Sequence, residues 1–269
     1  MTTILIRNAA VLVTMDAQRR ELASCDIYSC SGEIIEIGHG LKHAADTTID
    51  ASGCVVTPGL INTHHHLYQT LTRAVPKGQD ALLFGWLQTL YPIWSRMGPE
   101  AFRVSAQVGL AELVLSGCTM SSDHQYLFPN GAKLDDTIEA ARTVGIRFHA
   151  TRGAMSIGES DGGLPPDQLV ETEGAILADC CRVIDAFHDT SENAMVRVGL
   201  APCSPFSVSR DLMRETAILA RDKGVRLHTH LAENNEDVAY SLEKFGCLPG
   251  QYVEELGWIG DDVWHAHCV

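Results

Sequence analysis

Pro58-Gly59-Leu60-Ile61-Asn62-Thr63-His64-His65-His66 is a short apolar run that ends in three consecutive histidines. Five further runs of this kind follow: Gly117-Cys118-Thr119-Met120-Ser121-Ser122, Ile146-Arg147-Phe148-His149-Ala150, Val196-Arg197-Val198-Gly199-Leu200, Val225-Arg226-Leu227-His228-Thr229 and Val263-Trp264-His265-Ala266. Helical patterns lie between them. Within Leu134–Val144 the apolar Ile138, Ala141 and Val144 fall near the helical period. Within Asp211–Lys223, Leu212, Ala217, Leu219 and Ala220 share a broad face, and Gly224 is placed to cap the end. Strands alternating with helices of this length read as βα units on a parallel sheet. No Gly-x-Gly-x-x-Gly follows the first strand, so a dinucleotide fold is not favoured. The expected fold is α/β, a (β/α)8 TIM barrel over residues 58–269, with chemistry at the C-terminal ends of its strands. Only six strands are counted before Val269, and the chain is expected to be truncated after barrel strand 6.

Residues 1–57 have a different rhythm. Ile4-Leu5-Ile6, Val11-Leu12-Val13, Asp26-Ile27-Tyr28 and Glu33-Ile34-Ile35-Glu36-Ile37 are β-prone, with Arg7-Asn8 and Cys30-Ser31-Gly32 as the expected turns. Such a meander has little core of its own.

Composition narrows the function. The chain has 269 residues, with 20 Lys plus Arg against 34 Asp plus Glu, a net charge of −14. A nucleic-acid binder needs a basic face, so none is expected. No apolar run is long enough for a membrane span, and the start, MTTILIRN, lacks a secretion signal. The nine cysteines contain no Cys-x-x-Cys and read as small buried hydrophobes in a reducing, cytoplasmic setting.

Histidines concentrate at the strand ends. His64, His65 and His66 close the first strand, His228 and His230 lie at the fifth, and His265 and His267 at the sixth. Residues i and i+2 of a strand point the same way, so His64 and His66 face the barrel axis together while His65 faces out. Two adjacent imidazoles suit a divalent transition metal. A polar turn after a strand is the alternative. His228 and His230 repeat the spacing, and Glu233 follows. A carboxylate beside an activated water serves as a proton shuttle; the alternative for Glu233 is the N-terminal cap of the next helix.

These stretches resemble the metal motifs of the amidohydrolase superfamily. The resemblance rests on Pro58–His66, on His228-Thr229-His230-Leu231-Ala232-Glu233 and on His265-Ala266-His267-Cys268-Val269. It covers the whole chain. The strands before Pro58 match the family's small N-terminal β-sandwich domain. Within the superfamily the chain resembles aminohydrolases of heteroaromatic rings. Local stretches such as His66–Arg73, Ser121–His124, Thr151–Ser156, Gly162–Pro166 and Ala201–Pro205 are most similar to 8-oxoguanine deaminases. Close relatives of that group are hydroxydechloroatrazine ethylaminohydrolases.

The resemblance implies hydrolytic deamination of a purine-like ring, 8-oxoguanine to urate plus ammonia. His64, His66 and His230 would bind one divalent metal, zinc first and iron second. His267 would hydrogen-bond the attacking water or the substrate, and Glu233 would pass protons between water, ring nitrogen and leaving amine. The family adds an Asp from the eighth strand, which lies beyond Val269. An s-triazine or guanine aminohydrolase is the alternative, and a catalytically silent metal-binding fragment is the reading of another class. Without that Asp and the last two strands, the chain alone is expected to be poorly soluble and inactive. The branch often forms homo-oligomers.

The substrate contacts are open at this stage. Gln69 would read a ring edge and Trp86 would stack on it, against a capping amide and a core aromatic. Arg152 would donate to a substrate carbonyl, or form a buried pair with Asp123. Cys203 reads as packing. Gly158-Glu159-Ser160-Asp161-Gly162 fits Gly-x-Ser-x-Gly, but the Gly163-Leu164-Pro165-Pro166 that follows predicts a loop rather than a nucleophile elbow.

Overall fold

The computed structural model describes residues 1–269. Two units are distinguished, Met1–Leu60 and Ile61–Val269.

In the first unit, β1 (Thr3–Val13) pairs antiparallel with β2 (Glu21–Cys30), and β2 with β3 (Glu33–Gly38). Two short strands, β4 (Thr47–Asp50) and β5 (Val55–Val56), run parallel to β1 at successive positions along it. The turn expected at Arg7-Asn8 is instead a bulge inside one long strand. The β1–β2 register shifts between Ile6 and Ala9, and Asn8 has φ 59°. Asn tolerates this left-handed conformation, and a bulge absorbs the extra residue without ending the strand. Asp26 holds it in place by accepting the Asn8 N–H at 2.9 Å. Ser31 and Gly32, by contrast, do form a turn, both with positive φ. The buried apolar cluster of this sheet is small: Leu12, Cys25 and Ile27.

The second unit is built on a six-stranded sheet in sequence order: β6 (Leu60–Asn62), β7 (Cys118–Gln125), β8 (Arg147–Ala154), β9 (Val196–Pro202), β10 (Arg226–Leu231) and β11 (Val263–His267). From β7 to β11 each neighbouring pair is parallel. The helices are α1 (Leu83–Trp94), α2 (Pro99–Leu115), α3 (Leu134–Val144), α4 (Glu173–Phe187), α5 (Arg210–Lys223), α6 (Asn235–Phe245) and α7 (Pro249–Glu255). At least one precedes each strand from β7 onward, as βα repetition requires. Their ends follow local chemistry. The Ser209 and Asn234 side chains accept the first free N–H groups of α5 and α6, and Gly145, Gly224 and Gly246 close α3, α5 and α6 in the left-handed conformation.

Apolar faces of strands and helices meet in one core. Phe148, Val198, Leu200 and Leu227 on the strands pack with Leu110, Ile138, Val183 and Leu212 on the helices. Burying a side chain of this size contributes about 1.5–3 kcal/mol. A cavity of about 600 Å³ lies toward the N-terminal ends of the strands, lined by Ile61, Phe148, Arg197, Arg226 and Trp264 among others. It contains none of the clustered imidazoles described below. The Gly158–Gly162 segment is a loop with a single turn of 3-10 helix over Glu159–Asp161, as expected. No helix is long and apolar enough to cross a membrane.

Strands β7 and β8 approach closely where they reach the site. At Gly153 an added Cβ would strike the Gln125 backbone carbonyl and the Tyr126 Cβ, the latter at 2.7 Å. Gly153→Ala therefore has to push two backbones apart. Overpacking of this kind costs about 1–3 kcal/mol. Chemical denaturation of the variant is expected to show that loss; an unchanged midpoint would mean that the strands separate freely here.

Candidate active site

Four imidazoles converge at the C-terminal ends of the strands. His64 and His66 follow β6, His124 lies in β7 and His230 in β10. Each offers one ring nitrogen, and these four atoms lie within 4.8 Å of one another. His65 does not join them, in keeping with strand alternation.

Hydrogen bonds fix which nitrogen each ring can offer. A carbonyl oxygen only accepts, so the ring nitrogen facing it carries the proton. His66 Nδ1 donates to the His124 carbonyl at 2.8 Å, and His230 Nδ1 donates to the Cys203 carbonyl at 2.5 Å. Both Nε2 atoms are then lone pairs, and they face each other 3.0 Å apart. His124 Nε2 donates to the Ala201 carbonyl at 2.9 Å, which leaves its Nδ1 buried without a partner. Facing lone pairs repel one another, and a cation between them removes the conflict. The residues present therefore fit a divalent metal, and an all-imidazole donor set suits zinc or iron.

Burial keeps the rings neutral. It holds His66, His124 and His230 well below the usual histidine range, helped by the neighbouring imidazoles. His64 is lowered to about 4, by burial first and then by His267 and His65. Neutral imidazole is the form that ligates metal.

Glu233 stands at the rim. The chain leaves β10 through Ala232, a left-handed residue with φ 49°. Such a conformation costs of order 1–3 kcal/mol and concentrates at functional sites. Glu233 does not cap the next helix; Asn234 does, accepting from the Glu236 and Asp237 N–H groups. The Glu233 carboxylate lies 3.7 Å from His267 Nε2. Burial, and then the Asp237 carboxylate, push the Glu233 carboxyl up to about 7. A carboxyl poised near neutrality can both hold and release a proton.

Above the imidazoles lies a cavity of about 270 Å³. Its wall joins His64, His66, His230, Glu233 and His267 to Gln69, Trp86, Leu87, Tyr91, Tyr126 and Phe206. Of the residues expected to contact substrate, Gln69 and Trp86 are in this wall. Gln69 donates one amide hydrogen to the Tyr68 hydroxyl at 3.2 Å, so its carbonyl oxygen remains for the cavity. Trp86 packs edge-on against Trp94, ring centroids 5.4 Å apart.

Arg152 is not among them. It is 2% exposed, with Nη2 2.8 Å from Glu171 and Nε 2.8 Å from Asp179, and its guanidinium lies 3.9 Å from the Phe128 ring centroid. Both expectations for it are corrected: it does not reach the cavity, and its partners are Glu171 and Asp179 rather than Asp123. A buried guanidinium needs full pairing, and helix α4 and the loop before it supply it. Asp123 instead accepts the Leu67 N–H at 2.7 Å. Cys203 packs in the wall, its thiol pushed by burial up to about 12.

Tyr126 and Phe206 escaped the reading of the sequence as site residues, and His124 stood in it only as the last residue of the Ser121–His124 stretch, with no role assigned. The only sequence signal for His124 and Tyr126 is their place, two residues apart, at the end of the second barrel strand.

The model of the Amidohydrolase family matches residues 55–269. An 8-oxoguanine deaminase of Pseudomonas aeruginosa is 47% identical over 243 residues, 88% of this chain and 54% of that protein. An isoxanthopterin deaminase of an unknown prokaryotic organism is 38% identical over 98% of this chain and 57% of its own length. The chain thus spans about half the length of the curated relatives it matches. Among solved structures, the zinc complex of an atrazine chlorohydrolase from Arthrobacter aurescens TC1 superposes with a TM-score of 0.93 at 36% identity, covering 99% of this chain and 61% of that one. With the barrel strands, the histidine cluster and these matches in agreement, the chain belongs to the amidohydrolase family.

Proposed function

We propose that the protein catalyses metal-dependent hydrolytic deamination of a heteroaromatic ring, with 8-oxoguanine as substrate. The observation that carries this reading is the juxtaposition of inward-facing imidazole lone pairs with Glu233 beside a cavity walled in part by Trp86, Tyr91, Tyr126 and Phe206. His64, His66 and His230 are the ligands. When bound, zinc supplies Lewis acidity and lowers the pKa of water from about 15.7 toward about 7.

The chain's own residues do the rest. Glu233, near neutrality in its acidity, takes a proton from the attacking water and gives one to the ring nitrogen beside the amine-bearing carbon. That carbon becomes electrophilic, water adds, and a second proton delivered through Glu233 releases ammonia. The balance is ring amine plus water to ring carbonyl plus ammonia. His267, 3.7 Å from Glu233, faces the same region and hydrogen-bonds the water or the substrate. The Gln69 carbonyl oxygen accepts from a ring N–H, and Trp86 contributes a flat wall. The 47% identity to an 8-oxoguanine deaminase supports the purine over the triazine assignment.

Substrate choice is tested by ammonia release from the complete, zinc-loaded protein with 8-oxoguanine, guanine, isoxanthopterin and an N-alkylated triazine. 8-Oxoguanine is expected to give the highest kcat/KM; a clear preference for the triazine would move the assignment to that class, and no release from any would leave a metal-binding protein without this activity. In the same assay Glu233→Gln is expected to keep its zinc and lose about 10²–10⁴-fold in turnover, the usual contribution of a general acid–base group. Unchanged turnover would remove Glu233 from the proton path. Metal analysis of His64→Ala combined with His230→Ala is expected to show zinc lost; undiminished zinc would reject these ligands.

A further inference from the structure

The two histidines of the His228-Thr229-His230 sequence perform different tasks. His230 belongs to the four-imidazole cluster, and His228 does not. His228 is fully buried and stands behind His64, with its Nε2 2.8 Å from His64 Nδ1. On its far side His228 Nδ1 lies 2.8 Å from the Trp264 carbonyl oxygen. The Trp264 indole stacks on the His228 ring, centroids 4.6 Å apart and planes within 16°. The indole is held in turn, its N–H donating to the Thr63 carbonyl at 3.1 Å.

This wiring has one consistent protonation pattern. The Trp264 carbonyl can only accept, so His228 carries its proton on Nδ1. Its Nε2 is then a lone pair, and His64 Nδ1 must be the donor between the two rings. The lone pair that His64 has left for a metal is on Nε2. His66 and His230 have their outer protons pinned by backbone carbonyls, those of His124 and Cys203. His64 differs from them, because its pin is a side chain and can be removed by substitution.

We propose that His228 is a positioning residue for His64: by accepting the Nδ1–H it fixes the tautomer and ring plane of that ligand and ties it to the Trp264 carbonyl on β11. The proposal rests on the reading of His64 as a metal ligand. Partners of this kind behind a ligating histidine typically set metal affinity by about 10–100-fold.

The test uses the full chain and three variants, His228→Asn, His228→Gln and His228→Phe. Zinc affinity is read by competition with a chromophoric chelator, and the ligand field by the visible spectrum of the cobalt(II) form. Asn retains an amide N–H for the Trp264 carbonyl but ends too short to reach His64. Gln extends far enough for its amide oxygen to accept from His64 Nδ1. Phe keeps the stack on Trp264 and removes both hydrogen bonds. Asn and Phe are expected to weaken zinc binding by about 10–100-fold and to shift the cobalt bands, whereas Gln stays close to wild type. Circular dichroism of the metal-free proteins checks folding; should Phe fail to fold, the Asn–Gln contrast decides alone. An Asn variant with wild-type affinity and an unshifted cobalt spectrum overturns the proposal. So does equal weakening by Asn and Gln, the mark of packing alone. A wild-type chain that binds neither metal would instead overturn the ligand assignment itself.

Discussion

An imidazole has one proton when neutral, and a lone pair can be aimed only by placing that proton elsewhere. The site depends on this constraint. Backbone carbonyls supply the placement: those of His124, Ala201 and Cys203, at or just past the C-terminal ends of their strands, and that of Trp264, near the start of β11, each face an outer ring nitrogen. Near the end of a parallel strand the ladder thins, and a carbonyl can serve a side chain, as that of Cys203 does for the His230 ring while also accepting the His230 backbone N–H. The chemistry therefore falls at the C-terminal ends of the strands for a backbone reason as well as a topological one. Burial acts in the same direction. It excludes water that would compete for the carbonyls, and it penalises the second proton that would abolish the lone pair.

The same burial acts oppositely on the carboxyl. Removing water disfavours charge, so it lowers the imidazoles and raises Glu233 to about 7. One apolar surround thus yields neutral rings able to ligate and an acid able to exchange protons near neutrality. Asp237 adds to the effect on Glu233, while its own carboxylate accepts the Glu233 backbone N–H at 2.9 Å. The helix turn that follows β10 therefore helps to set both the position and the acidity of Glu233.

Much of this was legible in the residues because it depends on local periodicity. The helix read over Leu134–Val144 has those bounds in the structure, and the six apolar runs are the six strands. Alternation separated His65 from His64 and His66. Applied to His228 and His230, alternation could say that both rings point to one side, but not that one lies a layer behind the other. The turn expected at Arg7-Asn8 is a bulge because a bulge and a turn call for the same left-handed residue, and the choice rests on Asp26, distant in sequence. Arg152 was misread for the same reason. Its partners lie 19 and 27 residues away, on a loop and on α4, where no local pattern shows them.

The placement of Arg152 constrains how the cavity can recognise a ring. Its guanidinium donates to Glu171, Asp179 and the Gly153 carbonyl, and these bonds use four of the five N–H groups. Asp179 also binds Arg182, which pairs with Asp135 on α3, so the charge is spent in tying β8 to two helices. Freeing it for a ligand would strip a buried guanidinium of its partners and leave the half-buried Glu171 carboxylate unpaired, at a cost of several kcal/mol. In the reaction proposed, recognition then falls to neutral groups such as the Gln69 amide and to flat walls such as Trp86. Selection by such groups works through loss: a ring lacking the matching N–H leaves a polar atom unpaired in a largely apolar cavity. Sites of that design discriminate strongly against a missing donor and weakly against an extra methyl group. In the reaction proposed, a ring is therefore selected chiefly by whether it presents an N–H to the Gln69 carbonyl oxygen, and only weakly by the size of its alkyl substituents.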